Sequence, residues 1–535
     1  MRWRSRIFIL LVIAVLTSSF YWTYQTAASV NGYIGDEVWY VSASRNILYR
    51  LGVQVHYYVG NYEGINVVFE NKTLYNMHYY QVESMALTYF NILPSNVTEL
   101  EEAGILYFMI PKEDVKNFTT MLKEKYGKYC HVVPGYEYPN TSGIASYLNL
   151  EHPFLGKDFI MLAMLYEDSP LMWRLPGLIG RFLINILVLL ITYRLTKSYI
   201  ASFIALLFVA YDPLLNAMSE AAMLDIYVAI FVTFLMAMMI FQKRYTSSIL
   251  VGMAGATKLS GAFTYPVFLL QEYLKTRKIS KLNFFKFLLI SAFLGVSVVM
   301  GLSYYSGLLP WIYFLSSSLA FFVFSLIFFI KRTNTETLSQ GKKLIISLSI
   351  LPLIGFLVPN LPAIAAVGLK EWAKGFIGST GWMFAPNKGP VISPVWYWFL
   401  GKNPFPLHYG PNIFAQTDPV LLILIAVLIL AYPFLHRRIK YLWIPFGMFW
   451  SIVSLFLLHV LIGYLRDGKM PTQFSFYATP LVPTGAVVAG AGLGLLIRWD
   501  AFEESLIFYW NYIKKLFIKI IIIIKMLHKN KEEKL

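Results

Sequence analysis

The apolar residues of this chain are gathered into runs of about 20, the length needed to cross a hydrocarbon core of roughly 30 Å. They recur from Ile7 almost to the C-terminal end and raise the hydrophobic share of the 535 residues to 57%. A soluble core needs no such runs, because a strand or helix that buries one face alternates apolar with polar residues. Backbone groups in lipid must be satisfied within their own segment, so the runs read as helices. The formal charge of +16 does not mark a nucleic-acid surface, since the basic residues fall in short clusters between apolar runs and in the tail. That is where the cytoplasmic loops of a membrane protein carry them. One cysteine, Cys130, excludes an intramolecular disulfide, so any domain outside the lipid is held by packing alone.

The N-terminal Met1-Arg2-Trp3-Arg4-Ser5-Arg6, the run from Ile7 to about Thr26 and the small residues Ala27-Ala28-Ser29 have the parts of a cleavable signal. We read residues 1–29 instead as a retained first transmembrane helix, for a reason that emerges at Asp36. Residues 30–172 are too rich in Tyr, Asn and charge for lipid. They hold all four N-x-[ST] sequons, at Asn71, Asn96, Asn117 and Asn140, which places this loop outside the cytoplasm as a glycosylation acceptor. Within it, about 61–139 alternates strand-like pieces (Val67–Glu70, Ile105–Ile110, Cys130–Val133) with helix-like ones (Gln81–Phe90, Lys112–Tyr126), a small extracytoplasmic α/β insert.

The later runs thread so that Lys and Arg face the cytoplasm. Spans of about 177–193 and 198–214 enclose Arg194 and Lys197, and 222–242 returns to Lys243 and Arg244. As one crossing, Ser247–Leu274 would put Lys275, Arg277, Lys278 and Lys281 outside, so it is read as two short helices meeting near Thr257-Lys258. Spans 284–306 and 311–330 lead to Lys331 and Arg332, and 343–368 rises to an outer loop at 371–418. Spans 419–435 and 441–465 enclose His436, Arg437, Arg438 and Lys440, and 474–497 descends to Arg498. About 12 crossings result, with both termini inside. Residues 173–370 then form a transmembrane catalytic module, 419–498 the C-terminal helices, and 499–535 a basic cytoplasmic tail. Its lysines would each cost about 2.5–3.5 kcal/mol at mid-bilayer, which favours a helix lying on the inner surface.

Ionisable residues at the ends of such spans are expensive, and each is a functional candidate. Asp36-Glu37 follows the first span; His152, Lys157 and Arg174 precede the second; Asp212, Ser219, Glu220 and Asp225 flank the next outer turn; Lys258 sits at the apex of the split pair. All of them are predicted on one face. Structural alternatives exist: Asp212-Pro213 and His152-Pro153 suit turns, Arg174 suits snorkelling, and Asp36, Glu37 and Asp225 suit helix caps. Lys258, in Gly-Ala-Thr-Lys-Leu-Ser-Gly, has the weakest structural explanation.

Gly35-Asp36-Glu37, Glu151-His152-Pro153-Phe154-Leu155-Gly156-Lys157, Trp173-Arg174-Leu175-Pro176, Ser219 to Asp225 and Gly255-Ala256-Thr257-Lys258-Leu259-Ser260-Gly261 occur in an order and spacing that resembles the protein O-mannosyltransferases, within the C-type glycosyltransferases. The resemblance covers residues 30 to about 265, with an echo at Ser393-Pro394-Val395-Trp396-Tyr397-Trp398. Three features depart from the family: Phe154 replaces a proline, Glu220 replaces an arginine, and the loop 371–418 is too short for the lumenal β-trefoil of eukaryotic members.

The resemblance implies a C-type glycosyltransferase fold and transfer of mannose from a polyprenyl (dolichyl) phosphate to Ser/Thr hydroxyls of a protein acceptor. It implies Asp36 as inverting general base, which requires the first helix to stay attached and hold it at the lipid surface. Glu37 would assist Asp36 or the acceptor, Arg174 and Lys258 would bind the donor phosphate, and His152, Lys157, Asp212, Ser219 and Asp225 would position sugar or acceptor. No cofactor is required, although Asp36, Glu37 and Asp225 are oxygen ligands suited to a divalent metal. Membrane lipids are expected partners, and homo- or hetero-oligomers are left open. Two alternatives remain: a C-type enzyme acting on a lipid or glycan with another lipid-linked sugar, and a transporter using the charges as an ion path.

Overall fold

The protein is described by a computed structural model covering residues 3–276, 279–330, 335–379, 391–495 and 507–522. Arg277, Lys278, Lys331, Arg332, Arg498 and most of the basic tail lie outside the described residues.

The chain opens with α1 (Trp3–Ser29) and, after a tight turn, α2 (Glu37–Arg50). A small module follows: β1 (Tyr58–Val59), β2 (Tyr62–Phe69), α3 (Lys72–Phe90), β3 (Val97–Leu100), β4 (Ile105–Pro111), α4 (Val115–Tyr126) and β5 (Cys130–Pro134). Its sheet is five-stranded and antiparallel, ordered β1-β2-β4-β3 with β5 also on β2. The pieces read as strands from sequence fall in β2, β4 and β5. One sheet face packs under α3 and α4 through Ile65, Val67, Phe108, Val82, Phe118 and Leu122, with Cys130 buried among them. Val68, Ile105, Tyr107 and Tyr138 on the other face meet Val38 of α2.

Two polar contacts dock this module on α2. Arg45 is fully buried and donates to both Asp168 oxygens at 2.6 and 3.2 Å, while Asp168 also accepts from Trp173 Nε1 at 2.7 Å and Tyr136 N at 3.0 Å. Asn46 bridges the carbonyls of Ile144 and Tyr147 and accepts from the Tyr138 hydroxyl at 2.6 Å.

The helical body comprises α5 (Leu155–Met164), α6 (Pro170–Thr196), α7 (Tyr199–Ala210), α8 (Pro213–Ser219), α9 (Leu224–Ile240), α10 (Arg244–Thr257), α11 (Tyr265–Lys275), α12 (Lys281–Tyr305) and α13 (Trp311–Ile330). Then come α14 (Thr335–Val367), interrupted by a π turn at Ile346–Ile350, and α15 (Leu369–Gly378). The hairpin β6 (Phe405–His408) and β7 (Ile413–Ala415) leads to α16 (Pro419–Leu428), α17 (Tyr432–Arg438), α18 (Trp443–Asp467) and α19 (Leu481–Leu493). Among the described residues, 5 helices are long and apolar enough to cross a membrane, or 7 if the bent pairs α7–α8 and α16–α17 each count as one span. The described residues do not establish the expected 12 crossings: besides these spans there are shorter apolar helices, the 311–323 part of α13 and the pair α9 and α19, at 17 and 13 residues. Both are buried almost throughout, so they are apolar on every side without being long.

The helix pair α10 and α14 crosses at backbone contact: a Cβ on Gly252 would stand 2.1 Å from the Pro352 carbonyl oxygen. Small residues permit this approach, which lets two helices pack without intervening side chains. Gly252→Leu should therefore lower the thermal unfolding temperature in detergent, an overpacking cost of about 1–3 kcal/mol or more. Gly295→Leu, at a position with open space beyond it, should leave the temperature unchanged; equal effects of the two would contradict the tight crossing.

Candidate active site

Gly35 sets the entry to the site. Its φ of +53° suits glycine, its N–H donates to the Leu407 carbonyl at 3.0 Å, and a Cβ there would meet Leu407 Cδ2 at 2.6 Å. The turn thus docks on β6 and throws Asp36 and Glu37 in different directions.

Glu37 turns inward and is fully buried. Its carboxylate accepts from Arg174 Nε and Nη2, each at 2.9 Å, and from the backbone N–H groups of Ile34 and Ala222, each at 2.7 Å. Arg174 also donates through Nη1 to the carbonyls of Ala27 and Val30 at 2.8 and 2.7 Å, and through Nη2 to the Gly32 carbonyl. All five guanidinium N–H groups are engaged, so none remains for a phosphate and the role expected of Arg174 is corrected. Four donors likewise occupy the Glu37 carboxylate, which ties it to Arg174 and the backbone rather than to Asp36. The pair is a clamp: it joins the end of α1, the start of α2, α6 and the turn before α9.

Arg181, seven residues further along α6 and buried, repeats the arrangement one level deeper. It donates to Ser19 O at 3.0 Å, Thr23 Oγ1 at 3.1 Å, the Ala210 carbonyl and Asn216 Oδ1. The sequence analysis missed it, although two arginines at helical spacing inside an apolar run are a readable signal.

Asp36 turns the other way. It occupies the cap position of α2 but its side chain caps no N–H. Instead Oδ2 accepts from the Tyr40 hydroxyl at 3.4 Å, and the carboxylate lies within electrostatic reach of Lys258 and Asp225. Burial holds its pKa above the usual carboxylate value; Lys258 opposes this, and Asp225 adds to it. Asp225, in the first turn of α9, takes Lys258 Nζ on both oxygens at 2.9 and 3.1 Å. Lys258 is the extended residue at which α10 ends, where the sequence analysis put the helix break, with Gly261 N–H closing the turn onto its carbonyl at 2.9 Å. Its ammonium also faces the rings of Tyr477 and Phe476 at 4.4 and 4.9 Å. These two aromatics, just ahead of α19, were not anticipated: Gln-Phe-Ser-Phe-Tyr carries no charge to mark it. Asp225, Lys258 and Tyr40 are buried, while Asp36, His152 and Tyr477 keep partial exposure, so the cluster opens outward through them.

His152 packs edge-on against Tyr40, ring centres 6.1 Å apart. Burial, then Lys258 and Lys157, keep it well below the usual imidazole value, hence neutral near pH 7. Lys157 does not reach the cluster. Its three N–H groups go to Asn149 O at 2.6 Å, Asn149 Oδ1 at 2.9 Å and His152 O at 3.0 Å, fastening the loop that presents His152. Burial pushes this ammonium down to about 7 against the pull of Glu151 and Asp158. Phe154, the departure from the family pattern, lies with its ring 3.6 Å under that ammonium.

Asp212 caps α8 through Leu215 N–H at 2.7 Å, with Asp418 and Arg181 as its charged neighbours, and Ser219 donates to Asn216 O at 2.8 Å. Asp212 thus starts α8 at its bend with α7, and Ser219 bonds back within the last turn of α8; neither makes a hydrogen bond to the Asp36–Lys258 cluster. Among the sequons, Asn71 caps α3 and Asn140 accepts from Glu102 and Ala103 N–H groups, and Asn71, Asn117 and Asn140 are exposed. Among the described residues no three His, Cys, Asp or Glu side chains converge to hold a metal ion, and Glu37 is turned away from the other two acids named for one.

No family model matches the chain, and no curated protein does. Among solved structures, ArnT from Cupriavidus metallidurans bound to undecaprenyl phosphate is similar over 93% of this chain and 62% of its own, at 12% identity and a TM-score of 0.41. The Archaeoglobus fulgidus oligosaccharyltransferase in the apo form is similar over 92% and 52%, at 12% identity and a TM-score of 0.37. The chain therefore spans between half and two thirds of the length of these proteins. Similarity at this level assigns neither a family nor an activity.

Removing one partner of a buried ion pair strands the other charge, at a cost of about 3–5 kcal/mol. Glu37→Ala and Arg174→Ala should each lower the unfolding temperature sharply, whereas Asp36→Asn should leave it nearly unchanged. A stable Arg174→Ala protein would show that the clamp is not structural.

Proposed function

We propose that the chain is a membrane C-type glycosyltransferase that moves a sugar, mannose in the first instance, from a polyprenyl (dolichyl) phosphate to Ser/Thr hydroxyls of a protein on the extracytoplasmic side. One observation carries this reading: a carboxylate that caps nothing, on the partly exposed residue Asp36, shares one polar cluster with a lysine from a distant helix break, Lys258.

The chemistry needs a base and a counter-charge. Asp36 removes the proton from the acceptor hydroxyl as its oxygen attacks the anomeric carbon from the face opposite the phosphate. The bond from that carbon to the phosphate oxygen breaks, the configuration inverts, and the singly charged diester leaves as a monoester bearing a second negative charge. Lys258 meets that charge where it develops. Tyr40 steadies Asp36 by its hydrogen bond, and Asp225 with the rings of Tyr477 and Phe476 keeps the lysine in place. His152, neutral and beside Tyr40, is suited to a hydroxyl of sugar or acceptor.

Asp36→Asn should abolish transfer from labelled polyprenyl-phosphate mannose to a Ser/Thr-rich peptide while leaving donor binding intact. Turnover retained in that variant would falsify the base assignment, and label recovered on lipid or glycan rather than peptide would replace the acceptor. The pH profile gives a second check. A base with a raised pKa is lost as pH falls through that value, so the acid limb should lie above that of an exposed aspartate. Lys258→Met removes the cation that lowers Asp36 and should move the limb to higher pH, whereas Asp225→Asn removes an anion that raises it and should move the limb lower.

A further inference from the structure

The module carries a cleft of about 320 Å³ that the catalytic reading does not use. It lies at the uncovered end of the sheet face that meets α2, and Tyr57, Tyr62, Tyr107, Tyr136, Asn96 and Glu137 line it. Tyr107 and Tyr136 are buried and belong to the packing: the Tyr136 ring stands edge-on to Tyr57 at 4.9 Å and to Trp173 at 5.2 Å. Tyr62 is different, being 40% exposed at the mouth of the cleft. Two carboxylates, Glu137 and Glu167, lie within electrostatic reach of Tyr57, and neither makes a hydrogen bond or ion pair through its side chain among the described residues. Beside the cleft, β1 forms the outer edge of the sheet, with both its residues exposed.

Aromatic rings attract cations to their faces, and an unpaired carboxylate at partial burial does so more strongly. The same module shows the contact internally: Lys112 Nζ stands 4.2 Å from the centre of the Tyr58 ring. An open strand edge is what an extended peptide pairs with through its main chain, its alternate side chains entering pockets. We propose that the cleft receives the lysine side chain of an extended polypeptide lying along β1. Calling that polypeptide the glycosyl acceptor rests on the reading above; the binding itself does not.

The test uses the full chain in detergent and a fluorescent Ser/Thr peptide containing one lysine, against the same peptide with norleucine, read by anisotropy. The lysine peptide should bind at least about fivefold more tightly, a difference of about 1 kcal/mol. Tyr62→Ala and the Glu137→Gln/Glu167→Gln double variant should each erase that preference, while Asp36→Asn should keep it. Tyr62 is partly exposed and neither glutamate side chain forms an ion pair among the described residues, and an unfolding temperature equal to the parent's shows that each variant is folded. Equal binding of the two peptides would overturn the proposal, as would a preference that survives in both variants or displacement of the peptide by choline-headgroup vesicles. Lysine-dependent binding without any sugar transfer would retain the cleft and remove the transferase.

Discussion

The Glu37–Arg174 pair is the constraint on which the rest of the structure depends. A carboxylate and a guanidinium removed from water lose their hydration, and only a complete set of hydrogen bonds restores it. Here the set is complete on both sides, with four donors on Glu37 and five acceptors around Arg174. Because those partners come from the end of α1, the Gly32–Ile34 turn, α6 and the approach to α9, satisfying two charges fixes four segments. Asp36 inherits its position: its neighbour is locked, Gly35 is docked on Leu407, and its side chain faces Tyr40 and Lys258.

The buried charged residues therefore divide by what surrounds them rather than by type. Arg45, Arg174 and Arg181 each donate to acceptors from distant segments and join them; Lys157 does the same for the loop 149–154. Asp36 and Lys258 are the pair with reach beyond their own fastening. A planar guanidinium with five fixed donors suits bridging several carbonyls, whereas an ammonium on a flexible stem suits a site that must exchange partners. The chain uses each where its geometry fits.

Much of this was legible beforehand. The long apolar runs, the split at Lys258 and the strand-like pieces of the module follow from periodicity and from the rule that lipid excludes loose backbone. The grouping of Asp36, His152, Asp225 and Lys258 followed from their being expensive where they stand. What could not be read was direction. Adjacent residues Asp36 and Glu37 look equivalent in sequence and point to opposite tasks, and Arg174 carries the same charge whether it meets a phosphate or three carbonyls. Asp212 caps a helix at a bend, and Ser219 bonds back within its own helical turn. Phe476 and Tyr477 were hidden because uncharged aromatics are unremarkable among so many, and only tertiary proximity gives them a role.

The hold of Asp225 on Lys258 has a consequence for how tightly any anion can settle there. The ammonium has three N–H groups, and two are already shared with a carboxylate. A newcomer must compete with that resident, so its affinity is the difference between two attractions rather than the whole of one. A lipid phosphate would be gripped loosely on arrival and more firmly only as it gains charge, and on departure the lysine would fall back to its original companion. In the proposed reaction such a counter-ion would reset itself after each turnover and would leave no bare charge in a dry site.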